Sequence, residues 1–162
     1  MCRYSFGFQV EADTPSQTVS AEVRELHMAA PNPAPKIFVK KNIGADVQAK
    51  IEQLQNICYS KGMTEEQVLY TLALVDHESA GTYSTTIKGD KGCSVGIAQW
   101  NKCVGRIAGK DFEAQSHQIC DEMKAKYDKW ALLTAITKHN CPRCTYRAVY
   151  VNKILSAIPN FN

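Results

Sequence analysis

The chain has 162 residues, enough for one domain, and its 44% hydrophobic and 22% charged content lies near the globular average. Nineteen Lys and Arg against sixteen Asp and Glu leave a formal charge of +3, too little for a nucleic-acid footprint and only mildly favourable toward an acidic polymer. No apolar run approaches the length of a membrane span; the densest patch is Thr71 to Val75.

Met1 to Phe8 lacks the apolar run and small-residue cleavage site of a secretory signal. Export would then use another route, or follow removal of a signal outside this numbering. From Glu11 to Lys36 the chain is polar or Pro-rich, ending in Ala30-Pro31-Asn32-Pro33-Ala34-Pro35, which can neither continue a helix nor donate to a strand ladder. Residues 1–40 are expected to be a flexible tail or linker, with a helical domain over 41–162.

Val47, Ile51, Leu54 and Cys58 recur at helical spacing after Asp46, and Gly62 should end that helix. Thr64-Glu65-Glu66-Gln67 has the form of a capping box and opens a second helix through Val68, Leu72, Ala73 and Val75. That helix is apolar on most sides, so it should be the central one, stopping near Ser79-Ala80-Gly81. Gly89-Asp90-Lys91-Gly92-Cys93-Ser94-Val95-Gly96 reads as turns or a short hairpin. Three further helical patterns pass through Ile119 and Met123, through Trp130, Leu133 and Ile136, and through Val151, Ile154 and Leu155. The expected fold is mainly α, an α+β domain whose small β-like segment flanks a cleft.

Glu78 closes the central helix in Leu74-Val75-Asp76-His77-Glu78-Ser79. The partial negative charge of a helix end and apolar surroundings would both favour the protonated acid, which is what a general acid needs. Gly96-Ile97-Ala98-Gln99 follows the Gly-rich turn; its small residues allow close backbone approach, and Gln99 offers a donor and an acceptor suited to an amide-bearing sugar.

Glu78-Ser79 followed by Gly96-Ile97-Ala98-Gln99 resembles the "ES … GLMQ" pattern of soluble lytic transglycosylases and goose-type lysozymes. Gly89 through Gln99 is similar to the "GDxGxxxGLMQ" form of the goose-type enzymes, His139-Asn140 falls at the family's "AYN" element, and Tyr150-Val151-Asn152-Lys153-Ile154-Leu155 resembles its "YVxxVL" helix. The likeness covers about residues 45–158. It implies a lysozyme-like fold that cleaves the β-1,4 bond between N-acetylmuramic acid and N-acetylglucosamine in peptidoglycan, without a cofactor or metal. Glu78 would be the acid, with Ser79 positioning it or touching substrate, Gln99 and Asn140 binding amides, Asn101 and His139 as further substrate contacts beside the cleft, and Tyr150 lining the cleft near Glu78. It further implies a monomer acting outside the cytoplasm, in the periplasm, or on a phage virion.

Three positions depart from the pattern. Ala98 replaces the Met of "GLMQ", His139 replaces the Tyr of "AYN", and Asn101 stands where goose-type enzymes carry a second acid. Asp90 is the remaining second carboxylate by resemblance. Glycosidases that pair carboxylates hold them about 5–5.5 Å apart when retaining and about 6.5–9.5 Å when inverting. With a water on Asp90 the reaction would be inverting hydrolysis. Without one, Glu78 would serve first as acid and then as base toward the muramyl 6-hydroxyl, leaving a 1,6-anhydro product.

Two alternatives compete. Cys141-Pro142-Arg143-Cys144 has the CxxC spacing of half a zinc site or a redox pair, although a disulfide is the stronger expectation because no second tight pair is present. A catalytically silent glycan-binding module would keep the cleft and drop the chemistry. Seven cysteines suit an oxidising compartment, one must lack a partner within the chain, and a bridge from Cys93 or Cys103 would brace the Gln99 loop. Trp100 and Trp130 are candidates for stacking on sugar faces, Trp130 being the better candidate for the core.

Overall fold

The computed structural model describes residues 34–162, and Ala34–Asn162 form one compact unit. Over these residues five helices and a small antiparallel sheet build a mainly helical α+β fold. Among the described residues no helix is long and apolar enough to cross a membrane.

Helix α1 runs Ala45–Ser60 and buries Ile51, Leu54, Gln55 and Cys58, one stripe at helical spacing. Gly62 follows at φ +74°. Helix α2, Glu65–Glu78, opens with the expected box: Thr64 Oγ1 accepts from the Gln67 amide, and the Gln67 side chain accepts from the Thr64 amide. An unbroken run from Thr71 to Asp76 is buried, which makes α2 the central helix, packed against α1, α3 and α5. Its last residue is Glu78, and the chain turns away through Ala80 and Gly81, both left-handed.

The Gly-rich segment forms strands β1, Lys88–Gly89, β2, Ser94–Val95, and β3, Trp100–Asn101, in the order β1-β2-β3 with both pairings antiparallel. Helix α3, Phe112–Tyr127, is capped by Asp111, whose side chain accepts from the Ala114 amide. Helices α4, Leu132–Asn140, and α5, Ala148–Ala157, complete the core with Ala135, Ile136, Val151 and Ile154.

The expected tail ends earlier than residue 40. Phe38 is buried, its amide donates to Gln55 Oε1 at 2.9 Å, and Gln55 Nε2 donates back to its carbonyl at 3.2 Å. Gln55 itself is fully buried, so this segment supplies the partners a buried amide requires. Lys40 pairs with Phe161 across an isolated bridge and forms an ion pair with Asp76 near the end of α2. The rest of the expected tail, and Cys2, lie outside the described residues.

Among the described residues three disulfides join Cys58 to Cys120, Cys93 to Cys103, and Cys141 to Cys144. The first ties α1 to α3, and the second crosses the hairpin beneath the Gln99 loop, where a brace was expected. The CxxC cysteines bond each other, so neither is a thiolate ligand.

Candidate active site

The end of α2, the β1–β2 turn, strand β3 and the end of α4 converge on a pocket of about 100 Å³. Glu78, Asp90, Ser94, Gln99, Asn101, Arg106, His139 and Asn140 line it. Six of these eight were expected on sequence grounds. Ser94 and Arg106 were not.

Glu78 is half-buried, and its neighbours in this pocket are polar rather than the apolar surroundings expected. Tyr150, on α5, donates its hydroxyl to Glu78 Oε1 at 2.5 Å. Burial, and then the adjacent Glu78 carboxylate, push the Tyr150 phenol far above its ordinary value, so the group stays a neutral donor. The rings of His77 and Tyr150 meet in a T-shaped arrangement, with centroids 5.9 Å apart. One oxygen of the acid is thus fixed, while among the described residues Oε2 has no hydrogen-bond partner.

Asp90 sits at the turn between β1 and β2 in a left-handed conformation, φ +46°, and accepts from Ser94 Oγ at 2.7 Å. Aspartate is one of the few non-glycine residues that adopt this conformation readily, and the Ser94 hydrogen bond orients its carboxylate in the pocket.

The loop carrying Gln99 is fixed from several sides. Gly96 has φ +85°, and a Cβ there would lie 2.5 Å from Gln115 Oε1, so a side chain would strain the backbone and displace the Gln115 amide. Gln115, buried on α3, accepts from the Ile97 amide and donates to the carbonyls of Thr85 and Gly109. Gln99, itself at φ +49°, donates Nε2 to the carbonyls of Ile87 and Gly96. Its amide donors are committed to the loop, so the donor role toward a sugar amide is corrected. Its Oε1 rests against Gly89, where a Cβ would approach to 2.3 Å.

His139 is 3% exposed and bonded at both ring nitrogens, Nδ1 to Glu122 at 2.9 Å and Nε2 to the Ala98 carbonyl at 2.9 Å. It forms part of the pocket wall as a clamp on the loop, and the expectation that it binds substrate directly is corrected because neither nitrogen is available. Glu122 also accepts from Trp100 Nε1, Arg106 and Lys126. Burial alone would raise its carboxyl, but the His139 hydrogen bond and charge and the Lys126 ammonium hold it well below the usual range. Sequence reading missed Glu122, since Glu122 and Lys126 four residues apart on a helix read as a solvated pair.

Ser79 is fully buried, and its hydroxyl accepts from the Tyr83 amide at 3.1 Å. It anchors the turn after α2 and makes no wall of the pocket, which corrects its expected contact with substrate. Asn101 accepts from the Cys103 amide at 3.0 Å, and Asn140 accepts from Arg147. The tryptophans exchange expected places: Trp100 is 1% exposed in the core, and Trp130, just before α4, is half-exposed on the wall of a neighbouring pocket.

The arrangement offers a carboxyl fixed by a neutral phenol, a second carboxylate across a small polar pocket, and amides on its rim. Such a set can donate a proton to a bridging oxygen and hold a water against the adjacent carbon. No family model, no curated protein and no solved structure matches the chain.

Proposed function

We propose that the protein cleaves the β-1,4 bond between N-acetylmuramic acid and N-acetylglucosamine in peptidoglycan, with Glu78 as general acid. The observation that carries this reading is the convergence of Glu78, Asp90 and Gln99, from three separate parts of the chain, on one pocket, with Tyr150 holding the acid. Glu78 gives its proton to the glycosidic oxygen as the bond from that oxygen to muramyl C1 breaks. Water adds to C1, and Asp90 takes the water's proton. Asp90's position on the pocket wall, oriented by Ser94, favours this hydrolytic route over attack by the muramyl 6-hydroxyl. Three disulfides among the described residues suit action in an oxidising space such as the periplasm or the cell exterior.

The test is clearing of isolated cell walls alongside wall binding. Wild type should clear and bind, and Glu78→Gln should bind without clearing. Binding without clearing by both proteins would favour a silent glycan-binding module instead, and equal clearing by both would remove Glu78 from the mechanism.

A further inference from the structure

Lys40 precedes residues 45–158, the stretch that resembles the glycan-cleaving enzymes, so that likeness gives it no role. Its side chain is 12% exposed, and its ammonium pairs with the carboxylate of Asp76, 10% exposed in the last turn of α2. Among the described residues this is the one ion pair that Asp76 makes. The buried Tyr83 phenol beside it is held well above its ordinary value, by burial and then by the Asp76 carboxylate, so it stays neutral and brings no compensating charge.

The end of α2 is held only in part by its own residues. The Gly81 amide donates to the Asp76 carbonyl at 2.7 Å and the Ala80 amide to the His77 carbonyl at 3.2 Å, the paired bonds of a helix closed by a left-handed residue. Glycine usually fills that left-handed position. Here it is Ala80, at φ +51°, and Tyr83 is left-handed as well, at φ +53°. Neither has the freedom of glycine in this conformation. Lys40 touches both sides of the turn: its ammonium bonds Asp76 before it and lies 3.2 Å from where a Cβ on Gly81 would stand after it. A cation at this end of a helix also meets the partial negative charge of the last carbonyls. Glu78 lies between these two points of contact.

The backbone of Lys40 is anchored to the segment that follows α5. Lys40 pairs with Phe161, the Lys41 amide donates to the Asn160 carbonyl, and the Asn162 amide donates to the Val39 carbonyl, both bonds at 3.0 Å. Gln48, on α1, accepts from the Lys40 amide at 3.2 Å. Lys40 thus ties the end of α2 to the end of α5, the same two helices that the bond from Tyr150 to Glu78 joins. We propose that Lys40 is a positioning residue: through Asp76 and Phe161 it fixes the last turn of α2 against α5 and so places Glu78 on the Tyr150 hydroxyl. Its effect on catalysis rests on the reading of Glu78 as the acid. Its effect on the Glu78 carboxyl does not.

Two measurements on the full chain test this. In the first, the carboxyl carbon signal of Glu78, assigned by its loss in Glu78→Gln, is followed by NMR in wild type, Tyr150→Phe, Lys40→Met and Lys40→Arg. Lys40→Met, which drops the charge and keeps an apolar stem, should move the signal toward the position it takes in Tyr150→Phe. Lys40→Arg keeps the cation and should leave the signal near its wild-type position. A signal unmoved in folded Lys40→Met, or moved equally by both variants, overturns the proposal. If Lys40→Met does not fold, Asp76→Asn removes the same pair and is held to the same outcomes. In the second, kcat and KM on peptidoglycan are compared well below the unfolding temperature. Lys40→Met should lower kcat about tenfold with KM little changed, and Lys40→Arg should recover most of the loss. Unchanged kcat with a lowered melting temperature assigns Lys40 to stability alone and overturns the proposal. The carboxyl signal needs no catalysis, so failure of the cleavage reading and failure of the positioning role remain separable.

Discussion

The Tyr150 hydroxyl donates to Glu78 Oε1 at 2.5 Å, joining α5 to the end of α2 across 72 residues of sequence. This contact places the proposed acid more tightly than the helix end alone does, because the last turn of a helix frays while Tyr150 is 8% exposed within α5. Tyr150→Phe removes the donor and keeps the ring. Its kcat on cell walls is expected to fall roughly tenfold with KM little changed, the scale of one buried hydrogen bond. Unchanged kcat in a folded variant would make the contact incidental.

Asp90 and Ser94 make a second pair, the serine hydroxyl donating to the carboxylate at 2.7 Å. If Asp90 activates water, Asp90→Asn lowers hydrolysis by about a hundredfold or more, in keeping with loss of a general base. Residual product should shift toward the 1,6-anhydro form. Full hydrolytic activity in the variant removes Asp90 from the reaction.

Glu122 links Trp100, Arg106, Lys126 and His139, and through His139 it holds the Ala98 carbonyl. Its carboxyl is held below its ordinary value of 4.5 in the folded protein. A depressed carboxyl contributes stability that is fully present above about pH 4.5 and is lost as pH falls through the lower folded value. Glu122→Gln leaves cations unpaired and is expected to cost about 3 kcal/mol at neutral pH. That cost should shrink between about pH 4.5 and pH 2, as read by urea unfolding at several pH values. A constant difference between the two proteins over this window contradicts the assignment.

The Cys93–Cys103 bridge spans ten positions and closes the hairpin that carries Asp90, Ser94 and Asn101. Loop-closure entropy gives about 3 kcal/mol for a ring of that size. The double variant Cys93→Ser, Cys103→Ser should unfold at lower temperature and lose activity more than it loses wall binding. Calorimetry and a clearing assay together check both parts.

What the sequence made legible was mostly local. Thr64 to Gln67 specified the start of α2 through a four-residue box, and the spacing of Ile51, Leu54 and Cys58 specified the buried face of α1, because these signals act within one or two turns. Contacts between distant elements were harder. Tyr150 came to Glu78 by family resemblance alone, and Glu122 was missed because its burial depends on α4 and the Arg106 loop closing over α3. Phe38 lies only a few residues after a Pro-rich stretch, and nothing local announces that Gln55 will bond its backbone. The two tryptophans exchanged roles for the same reason: Trp100 is in a two-residue strand, and its indole Nε1 finds its partner, Glu122, on a separate helix.

Mass analysis of the fragments released from purified peptidoglycan tests the central claim most directly. Wild type should release muropeptides with free reducing ends, each heavier by one water than its anhydro counterpart, and Glu78→Gln should release none while remaining folded. Release of the same fragments by both proteins, or none by wild type on walls it binds, would contradict the assignment of Glu78 as the acid.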